Sequence, residues 1–292
     1  MATKPKFSPW TQFALKTCVK AVLKVRSMAG KGTEVISGRT KGYRSFDPEV
    51  IRVDKVIEDL MLGELKKTKK PVAVLSEEAG RLNIGPKAAS SPDTVFVICD
   101  PFDGSGLYRR QIPAFWFTSM SIWAKNGKPI TSVVADIITG HVDFADGNKA
   151  YGAEIKAGKL TKIYPLKSRK TTELKDAYTE SYLMKPGFMY PAVYHLEPLM
   201  RNSKFILPNG GPAGFADVAK GTIDIYVAYQ ESATEVFTGL PIAMAAGAKI
   251  KQFDGNEIVF QDNINAQYAI VVACTEELLN IALEKLRERP RK

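Results

Sequence analysis

The chain has 292 residues, 45% of them apolar and 25% charged, and a formal net charge of +10. Those values suit a globular protein able to bury roughly 75% of its unfolded surface without disulfide staples. Two histidines and three scattered cysteines argue against a His-based zinc centre, a Ser-His-Asp triad and a zinc knuckle, and no run approaches the ~20 apolar residues of a membrane span.

In chain order, no acidic residue precedes Glu34. Within residues 10–29, Phe13, Leu15, Val19, Val22 and Leu23 recur at helical spacing. This stretch reads as an amphipathic first helix rather than an Arg- and Ser-rich transit segment. A polar, Gly-punctuated loop follows over 31–47, with Arg39, Lys41 and Arg44 in it. Asp54 opens a second helix whose apolar side carries Val56, Ile57, Leu60, Met61 and Leu65. Lys66, Lys67, Lys69 and Lys70 then form one basic cluster, and the last residues form another. No helix-turn-helix, zinc-finger or RNP-type pattern accompanies them. The basic balance therefore reads as a solvated surface or a field that steers anionic substrates, with no nucleic-acid or membrane partner expected. A strand over 72–75 ends in Glu77 and Glu78, and a second over 95–98 runs into Asp100.

Beyond it, turn signals at Asn126-Gly127, Thr139-Gly140 and Asp146-Gly147 separate strand-like runs and predict antiparallel hairpins. The second half alternates: strands near 205–207, 223–228 and 268–273, and helices over 213–219, around 240–246 and over 276–289. The expected fold is layered α/β in two halves, 1–160 with the main acidic motifs and 161–292 completing the site. The odd, widely spaced cysteines Cys18, Cys99 and Cys274 fit buried thiols in a reducing compartment, the cytoplasm.

Chemistry concentrates in the string DPFDGS, Asp100 to Ser105. Two carboxylates at a strand's end supply hard oxygen ligands for a cation such as Mg²⁺. Gly104 lets the backbone approach a ligand, and the N–H groups after it can hold a phosphate. Metal and phosphate side by side suggest phosphoryl transfer to water. Asp54, Glu77 and Glu235 also sit at ends of predicted elements.

DPFDGS, with SEEAG upstream at 76–80, resembles the magnesium-dependent, lithium-sensitive phosphatase superfamily that includes inositol monophosphatase and fructose bisphosphatase. VDFADGNKAYG, DIYVAY and AMAAGAKI extend the likeness over nearly the whole chain. The resemblance implies an αβαβα sandwich with a largely antiparallel N-terminal sheet and a second C-terminal sheet, and a homodimer. It implies hydrolysis of a phosphate monoester with two or three Mg²⁺ ions, Mn²⁺ being an alternative. Glu77, Asp100 and the Phe102 carbonyl would hold one ion, and Asp100, Asp103 and Glu235 a second. Glu77, Asp54 and Ser105 would be catalytic, Gly104 and Ser105 would bind phosphate through their N–H groups, and Arg109, Arg110, Asn209 and Gly210 would contact substrate.

Departures from the family pattern bear on the substrate. Thr234-Glu235 stands where the second motif has Trp-Asp, and Ala228 where inositol monophosphatases have an acid for an inositol hydroxyl. Ser105 replaces the usual Thr of the inositol branch. Together they favour fructose 1,6-bisphosphatase-like or dual specificity over inositol 1-phosphate alone, with adenosine 3′,5′-bisphosphate as a third substrate class. Thr234-Glu235 also motivates a reading of another class, a catalytically silent binding or regulatory member of the family.

Overall fold

A computed structural model describes residues 5–38, 49–88 and 90–288. Arg39, Lys41 and Arg44 of the polar loop and Arg289 at the end of the predicted last helix lie outside the described residues.

Helix α1 (Pro9–Met28) starts at Ser8, whose hydroxyl accepts from the Thr11 N–H, with Pro9 at its first position. Strands β1 (Val35–Gly38) and β2 (Glu49–Ile51) pair antiparallel ahead of α2 (Arg52–Lys67). Next come β3 (Val72–Ser76), β4 (Gly80–Ile84), β5 (Val95–Asp103) and the short helix α3 (Ser105–Arg109). Strands β6 (Phe117–Trp123), β7 (Pro129–Asp136), β8 (His141–Asp146), β9 (Lys149–Lys156) and β10 (Lys159–Pro165) complete an eight-stranded sheet of order β10-β9-β8-β7-β6-β5-β3-β4. Each predicted Gly turn joins consecutive strands between β6 and β9, and within this sheet only the β3–β5 pair is parallel.

The second sheet has five strands: β11 (Tyr178–Glu180), β12 (Phe205–Leu207), β13 (Ile225–Ser232), β14 (Lys249–Gln252) and β15 (Gln267–Ala273), in the order β12-β11-β13-β15-β14. With it go helices α4 (Pro186–Met200), α5 (Pro212–Lys220), α6 (Ala233–Ala245) and α7 (Glu276–Arg287). Helices α1 and α2 cover the outer face of the first sheet, α5 and α6 lie between the sheets, and α4 and α7 pack beyond the second. This is the αβαβα sandwich that the resemblance implied. Strand alternation explains how one sheet serves two cores: Val97 and Cys99 of β5 pack toward α1 and α2, and Ile98 between them packs the other way.

Two helices depart from the sequence reading. α4 was not anticipated, because Pro191 and Pro198 lie inside it and proline in a helix interior removes a hydrogen bond. α6 begins at Ala233, well before the expected 240, because Ser232 and Glu235 cap it there, and it continues through Pro241. A proline there has no N–H for the Phe237 carbonyl, and the Trp123 indole N–H donates to that carbonyl instead, at 3.3 Å. The first sheet thus satisfies a bond that the helix lacks.

Candidate active site

Strands β3 and β5 run parallel, with Ser76 paired to Cys99, and the Glu77 N–H continues the ladder onto the Cys99 carbonyl at 3.2 Å. Glu77 and Asp100 are therefore brought to the same end of neighbouring strands. Asp100 is 1% exposed, and a bulge against β6 separates it from Asp103. Gly104 follows with φ +97°, and a Cβ there would collide with the Phe115 carbonyl. Glycine is required at that turn.

Two further acids sit in first turns of helices, and each reaches back to its own N-terminus. Asp54 Oδ2 accepts the Ile51 N–H at 2.9 Å, while Oδ1 accepts the Ser105 hydroxyl at 2.6 Å. In α6, the Ser232 hydroxyl accepts the Glu235 N–H and Glu235 Oε2 accepts the Ser232 N–H, both at 3.3 Å. That is a capping box, and Ser-x-x-Glu is its signature in the sequence. Glu235 thus doubles as a helix cap, a role in which Glu at this position is favoured.

Glu77, Asp103, Gly104, Ser105 and Glu235 border a cavity of about 270 Å³. The first sheet contributes Glu77, Phe102, Asp103, Gly104 and Ser105. The second contributes Tyr182, Met184, Lys185, Asn209, Gly210 and Gly211, and α6 contributes Glu235. Every segment leaves the carboxyl end of a strand (β3, β5, β11, β12 or β13), where open α/β sheets bind ligands. Gly211 has φ +68° and lets α5 start against Asp103, whose Oδ2 would lie 2.9 Å from a Cβ at 211. Behind this wall, the Asn209 amide donates to Glu180 Oε1 at 2.9 Å. Burial, and then the nearby Asp217 charge, hold the Glu180 carboxyl well above the usual carboxylate range.

Eight of the predicted residues meet at the cavity: Glu77, Phe102, Asp103, Gly104, Ser105, Asn209, Gly210 and Glu235. Asp54 joins through Ser105. Asp100 lies buried beside them and is not part of the lining. Arg109 pairs with Glu49, and neither it nor Arg110 lines the cavity. The cation in the lining is Lys185, which carries no signal in the sequence. Ala228 is fully buried in the second core. The acid on its strand is Glu231, beyond a bulge that has Gln230 at φ +53°. Glu231 Oε1 accepts the Tyr226 hydroxyl at 2.5 Å and lies 3.1 Å from where a Gly210 Cβ would stand.

The donors are all oxygens, which suits a hard cation and not zinc or copper. Among the described residues, no three His, Cys, Asp or Glu side chains form a ready-made ion cage. Mg²⁺ fits such an open set, because it keeps waters and combines one or two carboxylates with substrate phosphate. The helices α3, α5 and α6 also begin at this cavity. Acids alone would attract a cation, and helix N-termini alone an anion. Their convergence suits a cation and a phosphate bound together.

Residues 6–290 match the sequence model of the inositol monophosphatase family. The fructose-1,6-bisphosphatase of Pyrococcus furiosus is 29% identical over 236 residues, covering 80% of this chain and 82% of its own. The fructose-1,6-bisphosphatase/inositol-1-monophosphatase of Methanocaldococcus jannaschii is 29% identical over 237 residues, covering 80% and 83%. Among solved structures, the extragenic suppressor protein suhB of Bartonella henselae superposes with a TM-score of 0.73 at 18% identity, covering 96% of this chain and 99% of its own.

Proposed function

The chain belongs to the inositol monophosphatase family, and from that premise we propose that it is a Mg²⁺-dependent phosphatase of small sugar phosphates. Fructose 1,6-bisphosphate is its preferred substrate class, with inositol 1-phosphate accepted as well. The observation that carries this reading is the meeting of acids and helix N-termini around one cavity. The relatives named for fructose-1,6-bisphosphatase activity support the substrate class.

Glu77, Asp100, Asp103, Glu235 and the Phe102 carbonyl are the groups that would hold two or three Mg²⁺ ions, with Mn²⁺ able to replace them. Bound there, the metal neutralises phosphate charge and makes water a better nucleophile at neutral pH. The Ser105 hydroxyl donates to Asp54, so as one of its lone pairs takes a proton from the attacking water its own proton passes to the Asp54 carboxylate. Glu77 is the second base available to that water. Backbone N–H groups of Gly104 and Ser105 bind the phosphate oxygens as charge builds on them. Asn209 and Gly210 contact the sugar. Lys185 meets a second anionic group, and Arg109 and Arg110, just past Leu107 of the lining, supply positive charge farther out. The family resemblance adds inhibition by Li⁺ and a homodimer, and three buried thiols suit the cytoplasm. No helix among the described residues is long and apolar enough to cross a membrane.

Phosphate release from fructose 1,6-bisphosphate, inositol 1-phosphate and adenosine 3′,5′-bisphosphate, with Mg²⁺ and with added Li⁺, tests the reading. The first should react fastest. Release from none of them, with Mg²⁺ still bound, would favour the silent binding protein. Asp103→Asn should lower turnover by about 10²-fold or more. Full Mg²⁺-dependent activity in that variant would overturn the site.

A further inference from the structure

One buried acid near the cavity has no part in the site described so far. Glu58 lies on α2 one helical turn after Asp54, so both carboxylates project from the same face. Asp54 reaches α3 through Ser105, and Glu58 reaches a different loop. Its Oε1 accepts the Ser76 hydroxyl and the Ala79 N–H, each at 2.6 Å. Its Oε2 lies 3.5 Å from Lys55 Nζ. Glu58 is 1% exposed.

Ser76 and Ala79 bracket the turn between β3 and β4, with Ser76 paired to Gly80 across the hairpin. Between them stand Glu77 and Glu78. A single carboxylate oxygen therefore closes the entry and exit of the loop that carries Glu77. The Ser76 hydroxyl, the Ala79 N–H and the Lys55 ammonium all donate to Glu58, whose two oxygens accept them. Burying such an acid is costly unless its partners are in place, so the arrangement ties the Glu77 loop to α2 in one geometry. Strand β3 alone fixes only one side of that loop, through the Glu77 N–H bond to Cys99.

We propose that Glu58 is a positioning residue for the cation site: by clamping the 76–79 turn it presents the Glu77 carboxylate to the cavity. The inference rests on the Mg²⁺ phosphatase reading above. It makes α2 an organiser of two parts of one site, the proton-accepting pair through Asp54 and the cation-binding turn through Glu58.

The test uses Mn²⁺ as the probe ion, with free Mn²⁺ measured by electron paramagnetic resonance on the full chain, and Mg²⁺ activation curves beside it. Groups that orient metal ligands typically contribute roughly 10–100-fold in affinity. Glu58→Ala should weaken Mn²⁺ binding by about tenfold or more and raise the half-activating Mg²⁺ concentration to match, with kcat at saturating Mg²⁺ within about threefold of the parent. Glu58→Gln keeps an acceptor oxygen for Ser76 and Ala79, and should restore both values to within about threefold. A role in stability alone would lower the melting temperature and leave Mn²⁺ affinity unchanged, which would overturn the proposal. If Glu58→Ala does not fold, Ser76→Ala decides: weaker Mn²⁺ binding supports the clamp, and unchanged binding overturns it. Glu77→Gln separates the two claims. If it binds Mn²⁺ like the parent, the cation site itself is wrong; if it loses binding while a folded Glu58→Ala does not, only the clamp is wrong.

Discussion

Glu180 shows how a residue outside the cavity shapes its wall. Fully buried, it accepts the Asn209 amide and keeps its proton well above the usual carboxylate range, first because burial penalises the charge and then because Asp217 is close. A carboxyl whose folded pKa is raised contributes most below its unfolded value of 4.5, and that contribution is lost as pH climbs through the folded pKa. Glu180→Gln carries no such dependence and still offers Asn209 a carbonyl oxygen. In urea melts from about pH 4 to about pH 7, the variant should therefore gain stability relative to the parent as pH rises. A constant difference across that range would show that Glu180 ionises freely in the fold. Much at this scale was legible in the chain. DPFDGS, Glu77 and Glu235 declared themselves because carboxylates, Gly and Ser were crowded where a strand had to end. Lys185, Tyr182 and Met184 did not, because nothing near them in the sequence marks them; only the pairing of β11 between β12 and β13 brings them to the cavity.

Among the elements, the contact of α5 with α6 sets how the two sheets face each other. A Cβ on Gly239 would stand 2.6 Å from Phe215 Cδ2 and 2.7 Å from the Pro212 carbonyl, at the very start of α5. Gly239→Ala should cost about 1–3 kcal/mol by overpacking, read as a lower urea midpoint. Because Gly211 and the lining of the cavity adjoin Pro212, activity should fall in the same variant. Unchanged stability would mean that the helices separate freely. The hairpins between β6 and β9 were readable from their Gly turns, since hairpin geometry is a local matter, whereas the β3–β4 and β9–β10 hairpins were not predicted. α4 and the first turns of α6 were not, because interior prolines argue locally against helices that tertiary packing holds in place. The Ser232-x-x-Glu235 capping box was the available signal for where α6 begins.

At the scale of the whole molecule, we take 1–160 and 161–292 as halves of one folding unit. Leu75, Ile98 and Trp123 of the first sheet lie in the same core cluster as Val227 and Val271 of the second. α6 packs on both sheets. Trp123 lies in that shared core, and helix content reports the outer layers together with α5 and α6 between the sheets, so fluorescence and far-ultraviolet circular dichroism should trace one coincident urea transition. Two separated transitions would show that the halves unfold independently. The division of the cavity has a different consequence. The first sheet supplies Glu77, Asp103 and Ser105, while the second supplies Tyr182, Met184, Lys185 and the Asn209 to Gly211 turn. A lineage could therefore rewrite the loops after β11 and β12, and with them the wall that would meet the rest of a substrate, without touching the strand ends that hold Glu77, Asp103 and Ser105.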